Sequence, residues 1–194
     1  MTTIRRTRED VVPEIRDVFR RHGYDGTSLS AISEATGLGR ASLYHHFPGG
    51  KDEMVSAALD DVEAMVDRRI IATLRQRNRR PITRLKAMSA ELMVFHAGGK
   101  AACLCGILAL TAPDLQPRVQ KIFRRWLDAL ADLAEEAGRS RTQSRHVAED
   151  ALTRIEGALI LAAAQADTQF FQRALNDLPR ILFPQAKARG IRQG

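Results

Sequence analysis

The chain has 194 residues, 44% apolar and 27% charged, with 30 Lys+Arg against 23 Asp+Glu and a formal net charge of +7. That is enough apolar material for one or two packed domains and argues against wholesale disorder. Cys103 and Cys105 are too close in sequence to staple a disulfide scaffold, the start shows no signal peptide, and the longest near-apolar run (101–112) is too short for a membrane span, so a soluble cytoplasmic protein is predicted.

Helical periodicity recurs along the chain, while strand alternation is weak. Ile15, Val18 and Phe19 share one face of a first helix that stops at His22–Gly23. Pro13 predicts that this helix begins or kinks close to it, since a mid-helix proline loses a hydrogen bond. Asp25-Gly26 reads as a turn, and Thr27 or Ser28 caps a short second helix carrying Leu29, Ile32 and Ala35 inward. That helix ends at Thr36-Gly37. A third runs from about Arg40 to Phe47 and is ended by Pro48-Gly49-Gly50. From Lys51 a long helix of about 25 residues is expected, roughly 37 Å at the usual rise. The basic run 75–80 and Pro81 close it.

A second helical body fills the remainder. Leu85, Met88, Leu92 and Phe95 mark one helix before Gly98-Gly99, and 101–110 is apolar nearly all round, which predicts burial. An amphipathic helix follows over 119–137, then a polar stretch (138–145) expected to be a mobile loop, then closing helices near 147–166 and 168–182. The motifs of hydrolases, zinc peptidases, P-loop proteins and dinucleotide enzymes are missing, so no catalytic role is indicated.

The segment TSLSAISEATGLGRASLYHHF has the pattern of a helix-turn-helix. Gly37 suits the positive φ of the turn, and Ile32, Ala35, Leu38 and Leu43 suit the small core between two helices. The outer face of the next helix then carries Arg40, Ala41, Ser42, Tyr44 and His45. Arg40 can fork to guanine, Ser42 can donate or accept, Ala41 can meet a thymine methyl and His45 can reach base edges. Tyr44, His46, Lys51 and the Thr27 hydroxyl suit phosphates. Charge alone does not locate this surface, because residues 1–55 hold 8 basic and 8 acidic side chains.

Residues 5 to about 58 resemble the DNA-binding head of the tetracycline-repressor (TetR) family, through Phe19, Gly23-Tyr24, Thr27, Ile32, Ala35, Gly37, Leu43-Tyr44, His46-Phe47 and Lys51. The FPGGK form at 47–51, with CLCGILAL (103–110) and IEGALILA (155–162), is similar to the LmrA/YxaF-like subgroup. The resemblance implies an all-α fold: a three-helix head over 1–50 and a helical ligand-binding and dimerisation domain over 51–194. It also implies a cytoplasmic, nucleoid-associated bacterial regulator without cofactor. Such a protein would be a homodimer on a near-palindromic DNA operator, most often a repressor, released by a small-molecule effector of apolar or aromatic character.

Several side chains are candidates for the regulatory half. The expected effector pocket takes Met65, Met88, Phe95, His96 and Cys103, together with Ile107, Phe123, Trp126 and Glu156. Glu156 has three readings: solvent-facing, across the dimer seam, or an anchor for a polar ligand group. Gly157, Leu161, Phe171 and Leu175 are expected at the dimer interface, in a four-helix seam. An alternative is a metal- or thiol-responsive regulator sensing through Cys103 and Cys105, although zinc sites usually need a second ligand pair. Both cysteines otherwise read as small buried apolar residues, and no metal site is assigned.

Overall fold

The computed structural model describes residues 6–184, and every regular element within them is helical. Arg5, expected with Arg6 and Arg8 to add long-range attraction for DNA, lies outside the described residues. Helix α1 (Arg8–His22) begins at a capping box in which Thr7 and Asp10 satisfy each other's backbone N–H groups. Asp10 is consequently held below the usual carboxylate range. The helix runs straight through Pro13, contrary to expectation. Proline at the sixth position removes one early hydrogen bond on an exposed face, and the capping box fixes the start upstream of it.

Helices α2 (Leu29–Thr36) and α3 (Arg40–His46) are joined through Gly37, whose φ of +67° is the left-handed turn. Their inner faces meet α1 over Ile15, Phe19, Ile32, Leu43 and Phe47, all fully buried. Helix α4 (Gly50–Met65) packs along α1 and continues through a π-helical segment (Val66–Ile71) into α5 (Ala72–Leu74). The long helix is thus present, with an underwound π-helical stretch that periodicity alone did not indicate.

Helix α6 (Pro81–Phe95) leads through the Gly98-Gly99 turn to α7 (Leu104–Thr111). Leu104, Cys105 and Leu108 of α7 are buried, but Leu110 is 86% exposed, so the run 101–110 is not buried all round. Helices α8 (Gln116–Glu136), α9 (Arg141–Gln165) and α10 (Gln169–Leu182) complete the body. The polar stretch 138–145 is mostly helix. Ser140 and Gln143 form a capping box that starts α9 at Arg141, and Arg139 donates to the carbonyls of Ile181, Leu182 and Phe183. Arg118 and Arg125 of α8 pair with Asp60, Glu63 and Asp67 along the long helix. Among the described residues no helix is long and apolar enough to cross a membrane.

Candidate nucleic-acid interface and effector groove

The turn between α2 and α3 is held by its own side chains. Ser33 donates to the Leu38 carbonyl at 2.5 Å, and the Thr36 hydroxyl donates to Ile32 while accepting from the Leu38 N–H. Leu43 and Phe47 then anchor α3 in the core. Arg40, Ala41, Ser42 and His45 are exposed, Tyr44 is 48% exposed, and His46 is half-buried with its ring edge-on to those of His45 and Phe47. Arg40 reaches back to the Ser30 hydroxyl at 3.1 Å, which holds the guanidinium over the face of both helices.

The phosphate candidates differ among themselves. Thr27 is buried, and its hydroxyl donates to the Gly23 carbonyl at 2.6 Å; its proton therefore braces the α1–α2 turn, and Ser28 caps α2. Lys51 is half-buried, donates to the carbonyls of Tyr24 (3.1 Å) and Thr27 (3.3 Å), and lies over the Tyr24 ring. Of its three protons, one remains for an outside acceptor. The Tyr24 hydroxyl donates to Asp52, which pushes its pKa up to about 12.

Arg6 and Arg8 have a role that their charge did not reveal. Arg6 donates to the Thr36 carbonyl at 2.5 Å and pairs with Glu14. Arg8 donates to the His46 carbonyl at 3.1 Å, pairs with Glu53 and lies over the Phe47 ring. Each guanidinium thus sits at the C-terminal end of one helix of the helix-turn-helix, where the helix dipole favours a cation.

The residues expected to line an effector pocket divide into separate groups. Met65, Met88 and Trp126 are buried core residues. Phe95 lies under the guanidiniums of Arg16 and Arg20 from α1, and buried His96 contacts Phe95 and Phe171. Burial pulls the His96 pKa down to about 4, against the opposing bond from its ring nitrogen to the Ala101 carbonyl. Ile107 faces Gly23 of the head. Phe123 and Glu156, by contrast, share a groove of about 510 Å³ between α8 and α9, with Leu127, Leu152, Thr153, Gly157 and Ile160. Burial, with Cys103 beside it, pushes the Glu156 carboxyl well above its ordinary range.

Cys103 is hydrogen-bonded to Cys105 and to Glu156. The bond to Cys105 and then burial push its thiol upward, away from the reactive thiolate. Among the described residues no three His, Cys, Asp or Glu side chains are arranged to hold a metal ion. At the expected dimer face, Leu161 is exposed and a Cβ on Gly157 would meet open space. Phe171 and Leu175 do not belong there: both are buried within the protomer, Phe171 against His96 and Gly99.

Sequence reasoning missed three positions. Arg20 is buried with its guanidinium over the Phe95 ring, and Arg84 is buried with a hydrogen bond to the Leu74 carbonyl and an ion pair to Glu136. Thr111 touches Gly23 and Tyr24 of the head. Only an arginine at an otherwise inward helical position would have signalled the first two.

Comparison with known proteins agrees with this geometry. Residues 14–58 match the model for bacterial regulatory proteins of the tetR family, and residues 81–177 match the C-terminal domain of LmrA/YxaF-like transcriptional regulators. The chain is 24% identical to the HTH-type transcriptional regulator LmrA of Bacillus subtilis (strain 168), covering 80% of this chain and 86% of that protein. It is 26% identical to the HTH-type transcriptional regulator Rv0196 of Mycobacterium tuberculosis, covering 82% and 86%. A TetR transcriptional regulator from Legionella pneumophila superposes with a TM-score of 0.80 at 19% identity, over 93% of this chain and all of that one. Another, from Chloroflexus aurantiacus, gives 0.70 at 25% identity, over 89% and 92%.

Proposed function

Because the chain belongs to the TetR family of transcriptional regulators, with an LmrA/YxaF-like C-terminal domain, we propose that it is a homodimeric repressor released from a near-palindromic operator by a small apolar or aromatic effector. The observation that carries this reading is the outer face of α3: Arg40, Ala41, Ser42, Tyr44 and His45 face outward while Leu43 and Phe47 hold the helix in the core. Residues 1–50 read DNA, and residues 51–194 regulate and dimerise. In a two-fold dimer the two α3 helices enter successive major grooves, about 34–36 Å apart. Base edges are read by Arg40, Ala41, Ser42 and His45; Tyr44, His46 and the remaining proton of Lys51 meet phosphates, and Thr27 braces the turn that carries them. The protein acts in the cytoplasm, at the nucleoid.

The dimer forms through α9 and α10. Support comes from Leu161, which is apolar and exposed, and from the open space at Gly157. An effector in the body releases DNA only if it binds the DNA-incompetent conformer more tightly. Helix α7 is the route, since one end lies beside Glu156 and the other against the α1–α2 turn. Gel-shift titration on the DNA upstream of the protein's own gene tests the head. Loss of binding in Arg40→Ala supports base readout, and unchanged binding removes Arg40 from it.

A further inference from the structure

The groove between α8 and α9 is apolar in its walls and carries one carboxyl that the fold does not satisfy. Glu156 projects from α9 over α7, where its Oε2 would lie 2.9 Å from any Cβ placed on Gly106. The glycine leaves the room that the carboxyl occupies. Its Oε1 is buried without a hydrogen-bond partner. A buried, half-satisfied carboxyl is costly unless a donor reaches it, and more so when it ionises. No basic side chain lines the groove. Glu149, the other carboxylate at the rim, is already paired with Arg145 at 3.2 Å. Cys103 beside Glu156 has its thiol pushed up and brings no positive charge. A donor for Oε1 is not supplied by the groove's own side chains.

We propose that this groove binds an apolar primary amine, whose ammonium pairs with the Glu156 carboxylate while its hydrocarbon or aromatic part lies against Phe123, Leu127, Leu152 and Ile160. A volume of about 510 Å³ falls within the range of small-molecule sites and far exceeds what a bare metal ion fills. An anion brings no donor to the unpartnered Oε1. A neutral alcohol fills the apolar part and satisfies one bond, but supplies no charge. An ammonium supplies three donors and the charge, in a setting where charge-assisted bonds are the strong ones. Burial raises the carboxyl's pKa in the free protein, so pairing with an ammonium favours release of a proton to solvent. This deepens the effector reading above, and rests on it only for the consequence to DNA binding.

Isothermal titration of the full chain with phenylbutylamine, phenylbutanol and phenylbutyrate tests the site directly. The amine is expected to bind at least about tenfold more tightly than the alcohol, as a charge-assisted bond would give, and the acid not at all. Its binding enthalpy should vary with the ionisation enthalpy of the buffer, the mark of a released proton. Glu156→Gln should lower amine affinity to that of the alcohol, leave the alcohol unchanged, and keep the thermal midpoint and dimer state of the parent. Equal binding of amine and alcohol, an amine that ignores Glu156→Gln, or no amine binding overturns the proposal. Dissociation of a dimer by Glu156→Gln also overturns it, since Glu156 would then face a partner subunit. Tight amine binding with no change in operator affinity supports the site and removes the effector-release reading.

Discussion

The hydroxyl of Thr111, in the last turn of α7, accepts a hydrogen bond from the backbone N–H of Tyr24 at 3.4 Å and donates to the Ile107 carbonyl. One side chain therefore fastens the end of a body helix to the turn from which α2 and α3 hang. Gly23 makes the approach possible: its φ is +66°, and a Cβ there would stand 3.4 Å from the Thr111 methyl.

Thr111→Val keeps the side-chain volume and removes both bonds. The Tyr24 N–H then loses its acceptor, at a cost of about 1 kcal/mol. Amide exchange in the α1–α2 turn should accelerate about fivefold in consequence. Peptide-resolved hydrogen exchange checks this, and unchanged protection would show that Thr111 carries no restraint on the head.

The arm arginines stabilise the helix-turn-helix from inside. Arg8→Ala removes the cation from the end of α3, the ion pair to Glu53 and the stack on Phe47 together. DNA affinity is expected to fall several-fold for every sequence alike, because α3 loses its fixed pose and no base contact is touched. Arg8→Lys should recover only part of the loss, since a compact ammonium cannot stack on the ring in the same way. Competition gel shifts with operator and scrambled duplexes distinguish this from a change in specificity.

The head was legible because its signals are local. Leu43 and Phe47 four residues apart, Gly37 between two short helices, and polar residues on the other face of α3 need no distant partner to be interpreted. Elsewhere the deciding contacts join residues remote in sequence. Arg6 meets Thr36, Arg139 meets the end of α10, and Thr111 meets Tyr24. An apolar stripe on α10 suits a core and a partner equally, which is why Phe171 and Leu175 were expected at a seam and are found inside. The start of α9 was misjudged for another reason. GRSRTQSR is polar throughout, and its polarity outweighed a capping box present in the same letters, Ser140 and Gln143. Glu156 shows the same limit: its three readings stay open in the sequence, and its place over Gly106 of α7 is a contact between residues remote in sequence.

Base and phosphate contacts on α3 should separate under salt. Arg40→Ala is expected to cost about 1–3 kcal/mol on the operator and less on other sequences, narrowing the preference. Tyr44→Phe should weaken all duplexes by about 1 kcal/mol, a neutral hydrogen bond's contribution. It should leave the slope of log K against log salt unchanged, because the phenol releases no counterion. A changed slope in Tyr44→Phe would mean that the substitution disturbs neighbouring charges.

The cysteine pair should behave as packing. Cys103 is pushed up by its bond to Cys105 and by burial, so at neutral pH it is a thiol and reacts slowly with disulfide reagents. In the native protein, labelling by a thiol-specific disulfide is expected to be much slower than after denaturation. The double replacement Cys103→Ser, Cys105→Ser should bind DNA like the parent under both oxidising and reducing conditions. Fast native labelling, together with oxidant-dependent DNA release that the double replacement abolishes, would instead establish thiol sensing.

His96 links stability to pH with a definite sign. Burial, then the nearby Arg20 and Arg16, hold its folded pKa near 4 against an ordinary value of 6.5, with only the Ala101 carbonyl opposing. As the pH falls from neutral to mildly acid, the unfolded chain therefore takes up a proton before the folded chain does. Stability is complete above pH 6.5 and declines as the pH falls toward 4, by about 3 kcal/mol across that window. Urea denaturation over the same range should show the decline. His96→Gln, which carries no titrating ring, should start less stable at neutral pH because the ring contacts to Phe95 and Phe171 are lost. Its difference from the parent should then shrink as the pH is lowered. Parallel curves for the two proteins would place the acid sensitivity elsewhere, since a histidine that is neutral only in the folded state must bring the curves together.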